Sequence, residues 1–178
     1  MTRNLFEGLI EAEPQNEQIG PSAIVLRQFA VPEEVSLLAA LQAVVAQAPF
    51  RHMVTPNGFQ MSVAMTNCGA LGWVSDRTGY RYDPVDPVSI QRWPSMPDAF
   101  LRLATDAAAR AGFDGYIPDA CLIKRYEPGT KLSLHQDKDE KDFDQPIVSV
   151  SLGIPAVFLF GGLKRADKSI RVHLMHGD

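Results

Sequence analysis

No apolar run in these 178 residues approaches the length needed to cross a bilayer, and the N-terminus lacks the basic-then-apolar pattern of a secretory signal. Cysteine is scarce. Cys68 and Cys121 are the only two, which excludes a disulfide framework; both sit in apolar segments, so the expectation is reduced, buried thiols in a cytoplasmic protein. Excess positive charge is also missing: 17 Lys and Arg against 21 Asp and Glu give a net charge of −4. That argues against a protein that coats nucleic acid through bulk charge, while leaving room for a local basic patch. Internal repeats and low-complexity tracts are absent as well.

What is present is the composition of an ordinary globular protein, 46% hydrophobic and 21% charged, in a chain long enough for one domain with its own core. Residues 1–20 are polar and acidic and read as a loose leader, so the domain proper is expected over 21–178. Ala23-Ile24-Val25-Leu26 is a short strand candidate. Pro32-Glu33-Glu34 opens a helix, with Pro in the first turn and acids at the positive dipole end. Leu37, Leu38, Leu41, Val44 and Val45 give that helix a 3.6-residue apolar stripe, and it ends near Pro49. Thr55-Pro56-Asn57-Gly58 is a turn. After it Phe59, Met61, Val63 and Met65 alternate with Gln60, Ser62, Ala64 and Thr66, the pattern of a strand leaving a hairpin.

From Cys68 to Pro97 prolines and aromatics occur without periodicity, and so long an irregular stretch in a compact domain is usually functional. A second helix is expected from Pro97 to Gly112. Beyond Ala120 the pattern is all strand, with candidates at 120–126, 131–137, 146–152, 156–160 and 169–174 between Gly and Pro turns. Two helices followed by short strands predict an α+β fold in which helices back a β-sandwich or jelly-roll.

The chemistry concentrates in Leu132-Ser133-Leu134-His135-Gln136-Asp137-Lys138-Asp139-Glu140. In an extended backbone residues i and i+2 project from one face, so the His135 imidazole and the Asp137 carboxylate converge on one point. Two His and one carboxylate on one face, with other positions open, bind non-haem Fe(II); His135 and Asp137 supply two of the three. His176 shares a strand face with Ile170, Val172 and Leu174 and reads as a structural histidine. His173 lies on the opposite face with Arg171 and reads as exposed, and His52 has no motif partner.

The run Pro118-Asp119-Ala120-Cys121-Leu122-Ile123, Arg125-Tyr126, Pro128-Gly129 and 131–140 resembles the bacterial AlkB family, Fe(II)/2-oxoglutarate dioxygenases that repair alkylated DNA bases. The likeness continues through 146–153 and Phe160-Gly161-Gly162-Leu163-Lys164-Arg165, and upstream through 53–56, 61–69 and Leu71-Gly72-Trp73. It implies a double-stranded β-helix, or jelly-roll, backed by two N-terminal helices, with a nucleotide-recognition lid over about 50–95 and a jelly-roll core over about 118–178. His135 and Asp137 would be the iron ligands at the catalytic centre, and Lys124 and Tyr126 would hold 2-oxoglutarate. Trp73 and Tyr80, with Arg81 and Tyr82, would belong to the lid that grips an extruded base. Asp139 would meet the polar edge of that base, and Arg165 would lie along the substrate channel.

The cofactors implied are Fe(II), 2-oxoglutarate as co-substrate, and O2. The partner implied is alkylated single- or double-stranded DNA, with RNA a second class, bound by a monomer with no membrane partner. The reaction expected is oxidative demethylation of 1-methyladenine and 3-methylcytosine, releasing formaldehyde and succinate. Aromatic faces suit such bases because N-methylation leaves them cationic and because a base must leave the stack to be reached.

Two departures from the family pattern stand out. Lys124 occupies a position where the family has an asparagine whose amide helps hold 2-oxoglutarate. The chain given stops at His176-Gly177-Asp178, whereas the family continues with strands carrying a distal histidine ligand and the arginines that anchor 2-oxoglutarate. The last strands are therefore expected to be missing from a fragment, with a truncated, inactive product as the alternative. On the residues alone, blander roles stay open: Trp73 and Tyr80 as loop packing, Met61 and Met65 as core, Asp139 and Glu140 as a solvated turn, Arg165 as surface. Two other functions stay open too, a related dioxygenase acting on a protein or small molecule, and a non-catalytic binding module.

Overall fold

A computed structural model of the chain describes residues 16–138 and 140–178. Its two helices form one layer. Pro32 lies in a 3-10 turn, Val31–Glu33, that leads directly into α1, Glu34–Gln47. The fixed φ of proline suits this position, where its missing N–H has no helical partner to lose. The second helix, α2, spans Asp98–Arg110, with Asp98 in its first turn and Arg110 in its last, both matched to the helix dipole. It closes in a Schellman arrangement. Gly112 takes φ +92°, its N–H donates to Ala109 O, and the N–H of Phe113 donates to Ala108 O at 2.9 Å. Leu37 of α1 packs with Ala99 and Leu103 of α2 and with Ala30, and Phe29, Ala40, Phe100 and Leu152 close round them.

All named strand pairs are antiparallel. β1 (Glu17–Gly20) pairs with β2 (Ala23–Val25). β3 (Arg51–Val54), β4 (Gln60–Gly69) and β7 (Ala120–Arg125) form a three-stranded sheet with β4 in the centre. β5 (Gly72–Asp76) and β6 (Gly79–Asp83) form a hairpin, as do β8 (Ala156–Phe160) and β9 (Ile170–Leu174). The sheet core is Met53, Val63 and Met65, with Met61, Trp73, Leu122 and Leu132 packed against it. The β3–β4 turn forms where Pro56-Asn57-Gly58 predicts it, with Gly58 at φ +84° and its N–H donating to Thr55 O.

Four expectations need correction. Glu17–Gly20 is not part of a loose leader; it is strand β1, and the Arg27 guanidinium binds Glu17 beside it. Residues 1–15 lie outside the described residues. From Val63 onward β4 is buried on both faces, Ala64 and Thr66 included, because it runs between two strands and beneath the loops that follow. The 68–97 stretch is not wholly irregular, since it contains the β5–β6 hairpin. Its turn is set by Asp76, whose Oδ1 accepts from the Thr78 N–H at 2.8 Å and the Thr78 hydroxyl at 2.5 Å, with Gly79 at φ +132°.

The fourth correction concerns 131–137 and 146–152, which form no strand among the described residues. Alternation places side chains, but a strand exists only where a neighbour completes the ladder. Side chains hold the first segment instead: the Ser62 hydroxyl donates to Lys131 O, Gln136 Nε2 to Leu163 O at 2.5 Å, and Arg165 Nη2 to Leu134 O at 2.8 Å. In the second, the backbone of Ser151 exchanges two 2.7 Å hydrogen bonds with Gly177 and Asp178.

Candidate functional site

His135 and Asp137 meet although their backbone is not a strand. His135 Nε2 and Asp137 Oδ1 are 3.7 Å apart, and each side chain is 55% exposed. His135 Nδ1 lies 2.6 Å from Ser133 O, and a carbonyl can only accept, so Nδ1 carries the proton in the neutral ring. Nε2 then keeps its lone pair, aimed at the space shared with the carboxylate. The 3.7 Å gap is too long for a good hydrogen bond. It is within the reach of a shared cation making bonds of roughly 2.0–2.2 Å to imidazole nitrogen and carboxylate oxygen. One nitrogen and one hard oxygen on a solvent-open loop fit two positions of a two-histidine, one-carboxylate Fe(II) site. Among the described residues no group of three or more His, Cys, Asp or Glu is gathered for a metal.

His176 is elsewhere. Its Nδ1 accepts from the Gly153 N–H at 3.0 Å and its Nε2 lies 3.4 Å from Glu34 Oε1; it lies beyond the end of β9 and is part-buried, not buried on the strand face as expected. His173 is exposed, and His52 Nδ1 contacts Met61 O on the β3–β4 pair.

The aromatic residues gather on the β5–β6 hairpin. Trp73 is the register partner of Tyr82, and Ser75 of Tyr80, so Trp73 and Tyr80 stand diagonally on one face. Their rings stack at 5.7 Å with an interplanar angle of 16°. The Tyr82 hydroxyl donates to Glu140 Oε1 at 2.5 Å, joining the hairpin to the loop that carries His135 and Asp137. Burial, then the Glu140 carboxylate, push the Tyr82 hydroxyl well above the usual phenol range, so it remains a donor. Arg81, the alternate residue, is bound within its own hairpin, 2.9 Å from Asp76 and 3.3 Å from Asp83.

The other sequence candidates spread round this centre. Lys124, the last residue but one of β7, is exposed and lies opposite Met65; Tyr126 follows two residues later, 46% exposed, with partial burial raising its hydroxyl. Arg165 reaches the backbone of Leu134, next to His135. Asp139 lies outside the described residues.

Two positioning interactions had no specific sequence signal. Asn67 is fully buried in β4. Its amide donates to Trp73 O at 2.9 Å and its carbonyl accepts the Trp73 N–H at 3.0 Å, so one side chain acts as a ladder partner for the hairpin. A polar amide in an otherwise buried strand was the available clue. Arg51 binds Asp86 at 2.6 Å and lies over the Trp93 ring at 5.4 Å.

The profile of the 2OG-Fe(II) oxygenase superfamily matches residues 22–178. The alpha-ketoglutarate-dependent dioxygenase AlkB of Escherichia coli (strain K12) is 55% identical over 168 residues, 94% of this chain and 78% of the relative. The protein of the same name from Salmonella typhimurium is 57% identical over 165 residues, 93% of this chain and 76% of the relative. Among solved structures, that of OsALKBH1 superposes with a TM-score of 0.78 at 26% identity, covering 92% of this chain and 80% of that one. With its two helices and antiparallel strands, this chain belongs to the AlkB family of the 2OG-Fe(II) oxygenase superfamily.

Proposed function

We propose that the chain oxidatively demethylates N-alkylated bases in nucleic acid, of the 1-methyladenine and 3-methylcytosine type. The observation that carries this reading is the Tyr82–Glu140 bond. It fixes the stacked Trp73–Tyr80 hairpin to the loop bearing His135 and Asp137, so an aromatic grip and a pair of metal donors share one site. In support, AlkB relatives are named as dioxygenases, and the human relative matching at 30% identity over 61% of this chain is named nucleic acid dioxygenase ALKBH1. The fold is read as the jelly-roll expected from the sequence, with 118–178 as its core and 50–95 as its lid.

In this reading His135 Nε2 and Asp137 hold Fe(II), and Tyr126 and Lys124 hold the carboxylates of 2-oxoglutarate. Fe(II) and 2-oxoglutarate bound there would supply, with O2, the oxidising chemistry that hydroxylates an N-methyl carbon. The residues of the chain do the positioning. Trp73 and Tyr80 stack on an extruded base and exclude water, and their faces favour its positive charge. Glu140, held by Tyr82, and Asp139 add negative potential at the base edge. Arg165 and the exposed Lys131, Lys138 and Lys164 offer cations to the phosphates. The hydroxymethyl product then breaks its C–N bond, releasing formaldehyde and the unmodified base.

The test is release of formaldehyde and succinate from a 1-methyladenine oligonucleotide with Fe(II), 2-oxoglutarate and air, against an unmethylated control. Matched release of both, dependent on the methyl group, is expected. Succinate without formaldehyde would assign the chain to another substrate class, and release of neither would overturn the proposal.

A further inference from the structure

We propose that Cys68 and Cys121 form a redox pair that closes into a cross-strand disulfide when the protein meets a peroxide. The two residues are directly opposed in the β4–β7 ladder. Directly opposed Cα atoms of an antiparallel pair are roughly 4.5 or 5.5 Å apart, depending on the pair type, and both spacings fall inside the roughly 4.4–6.8 Å that a disulfide spans. Opposed side chains also project from the same face of the sheet. Both cysteines are free. Their opposed positions in the register bring the two thiols together on that face.

The pair is asymmetric in a way that orders the reaction. Cys68 has no exposed surface, whereas Cys121 is partly open. The neighbouring Cys68 thiol makes Cys121 the more easily ionised of the two against the opposing effect of its burial, and the Cys121 thiol, with burial, pushes Cys68 up. Peroxide therefore attacks at Cys121: its sulfur takes one oxygen, becoming a sulfenic acid, and water leaves. Cys68 sulfur then displaces that hydroxyl, which departs as a second water with the Cys68 proton. Two thiols have lost two electrons, and the peroxide has been reduced to water. A thiol reductant reverses the bond.

The position gives the bond a consequence. Cys68 follows Asn67, which holds the backbone of Trp73, and from Cys121 β7 continues to Arg125, the residue before Tyr126. A disulfide here staples the strand anchoring the aromatic hairpin to the strand leading to Tyr126. The inference stands on the ladder register and is independent of the assigned reaction.

The freshly reduced 178-residue chain, in buffer with a chelator, is treated with hydrogen peroxide, quenched and alkylated with a maleimide in denaturant. Expected are a monomer lighter by two hydrogens, no alkylated cysteine, a linked peptide containing Cys68 and Cys121, and full reversal by a phosphine. Hydrogen exchange across β4 and β7 slows in the oxidised form. In Cys68→Ala, Cys121 accumulates as a sulfenic acid trapped by dimedone; in Cys121→Ala, Cys68 stays reduced. Two alkylated thiols after treatment, oxidation that stops at a sulfinic acid, or linkage only between chains would overturn the pair.

Discussion

At the scale of single residues, the site divides into side chains that carry chemistry and side chains that carry position. His135 and Asp137 are half exposed and contribute little packing. His135→Ala and Asp137→Ala are therefore expected to abolish formaldehyde release while changing stability by no more than about 0.5 kcal/mol. Chemical denaturation beside the activity assay checks this, and a large loss of stability would assign the pair a structural role instead. Asn67 is the opposite case. Asn67→Ala removes the amide that bonds both the Trp73 N–H and its C=O from a fully buried position, an expected loss of about 2–4 kcal/mol readable in the same denaturation. Lys124 tests the departure from the family pattern. A lysine is a flexible point charge, whereas an asparagine amide has fixed directions, so Lys124→Asn should change the 2-oxoglutarate dissociation constant. An unchanged value in calorimetry would remove Lys124 from the co-substrate site.

The β5–β6 hairpin shows what can be argued at the scale of elements. Asp76 is held down to about 2 by the Thr78 hydroxyl and N–H and then by Arg81. A carboxylate lowered in the folded state lends stability above its ordinary value near 3.8, and that stability is lost as pH falls toward 2. Acid titration followed by tryptophan fluorescence should therefore show the hairpin loosening between those values. Asp76→Asn should remove that dependence. Tyr82→Phe cuts the tie to Glu140 and is expected to raise KM for a methylated oligonucleotide several-fold with a smaller effect on kcat; an unchanged KM would mean the tie does not position the base. Elements with local signals were legible in the sequence: the proline and acids before α1, Gly112 after α2, and Pro56-Asn57-Gly58 between β3 and β4. The β5–β6 hairpin was not, because Arg77-Thr78 carries no turn signature and the cap comes from the Asp76 side chain. The alternation at 131–137 misled for the converse reason, since it orders side chains without supplying a neighbouring strand.

Over the whole molecule, the meeting of His135 with Asp137 was readable because it is local, two residues apart. Tyr82 and Glu140 are 58 apart and Asn67 reaches across a sheet edge, so their partnership depends on tertiary packing that no short window contains. Ligand linkage gives a global test that needs no turnover. Fe(II) with 2-oxoglutarate under anaerobic conditions should raise Tm, and a chelator should return it to the metal-free value, because a ligand that binds only the folded chain stabilises it by mass action. His135→Ala should show no such shift. The β5–β6 hairpin balances its own charges through Arg81, Asp76 and Asp83, caps its own turn, and is held to its surroundings by Asn67, by the Ser75 hydroxyl on Val54 O and by Tyr82. Its outward residues, Tyr80 among them, can therefore be exchanged in the course of evolution without repacking Met53, Val63 and Met65. On the proposed reading, substrate range is free to drift on the hairpin while the loop of His135 and Asp137 stays as it is.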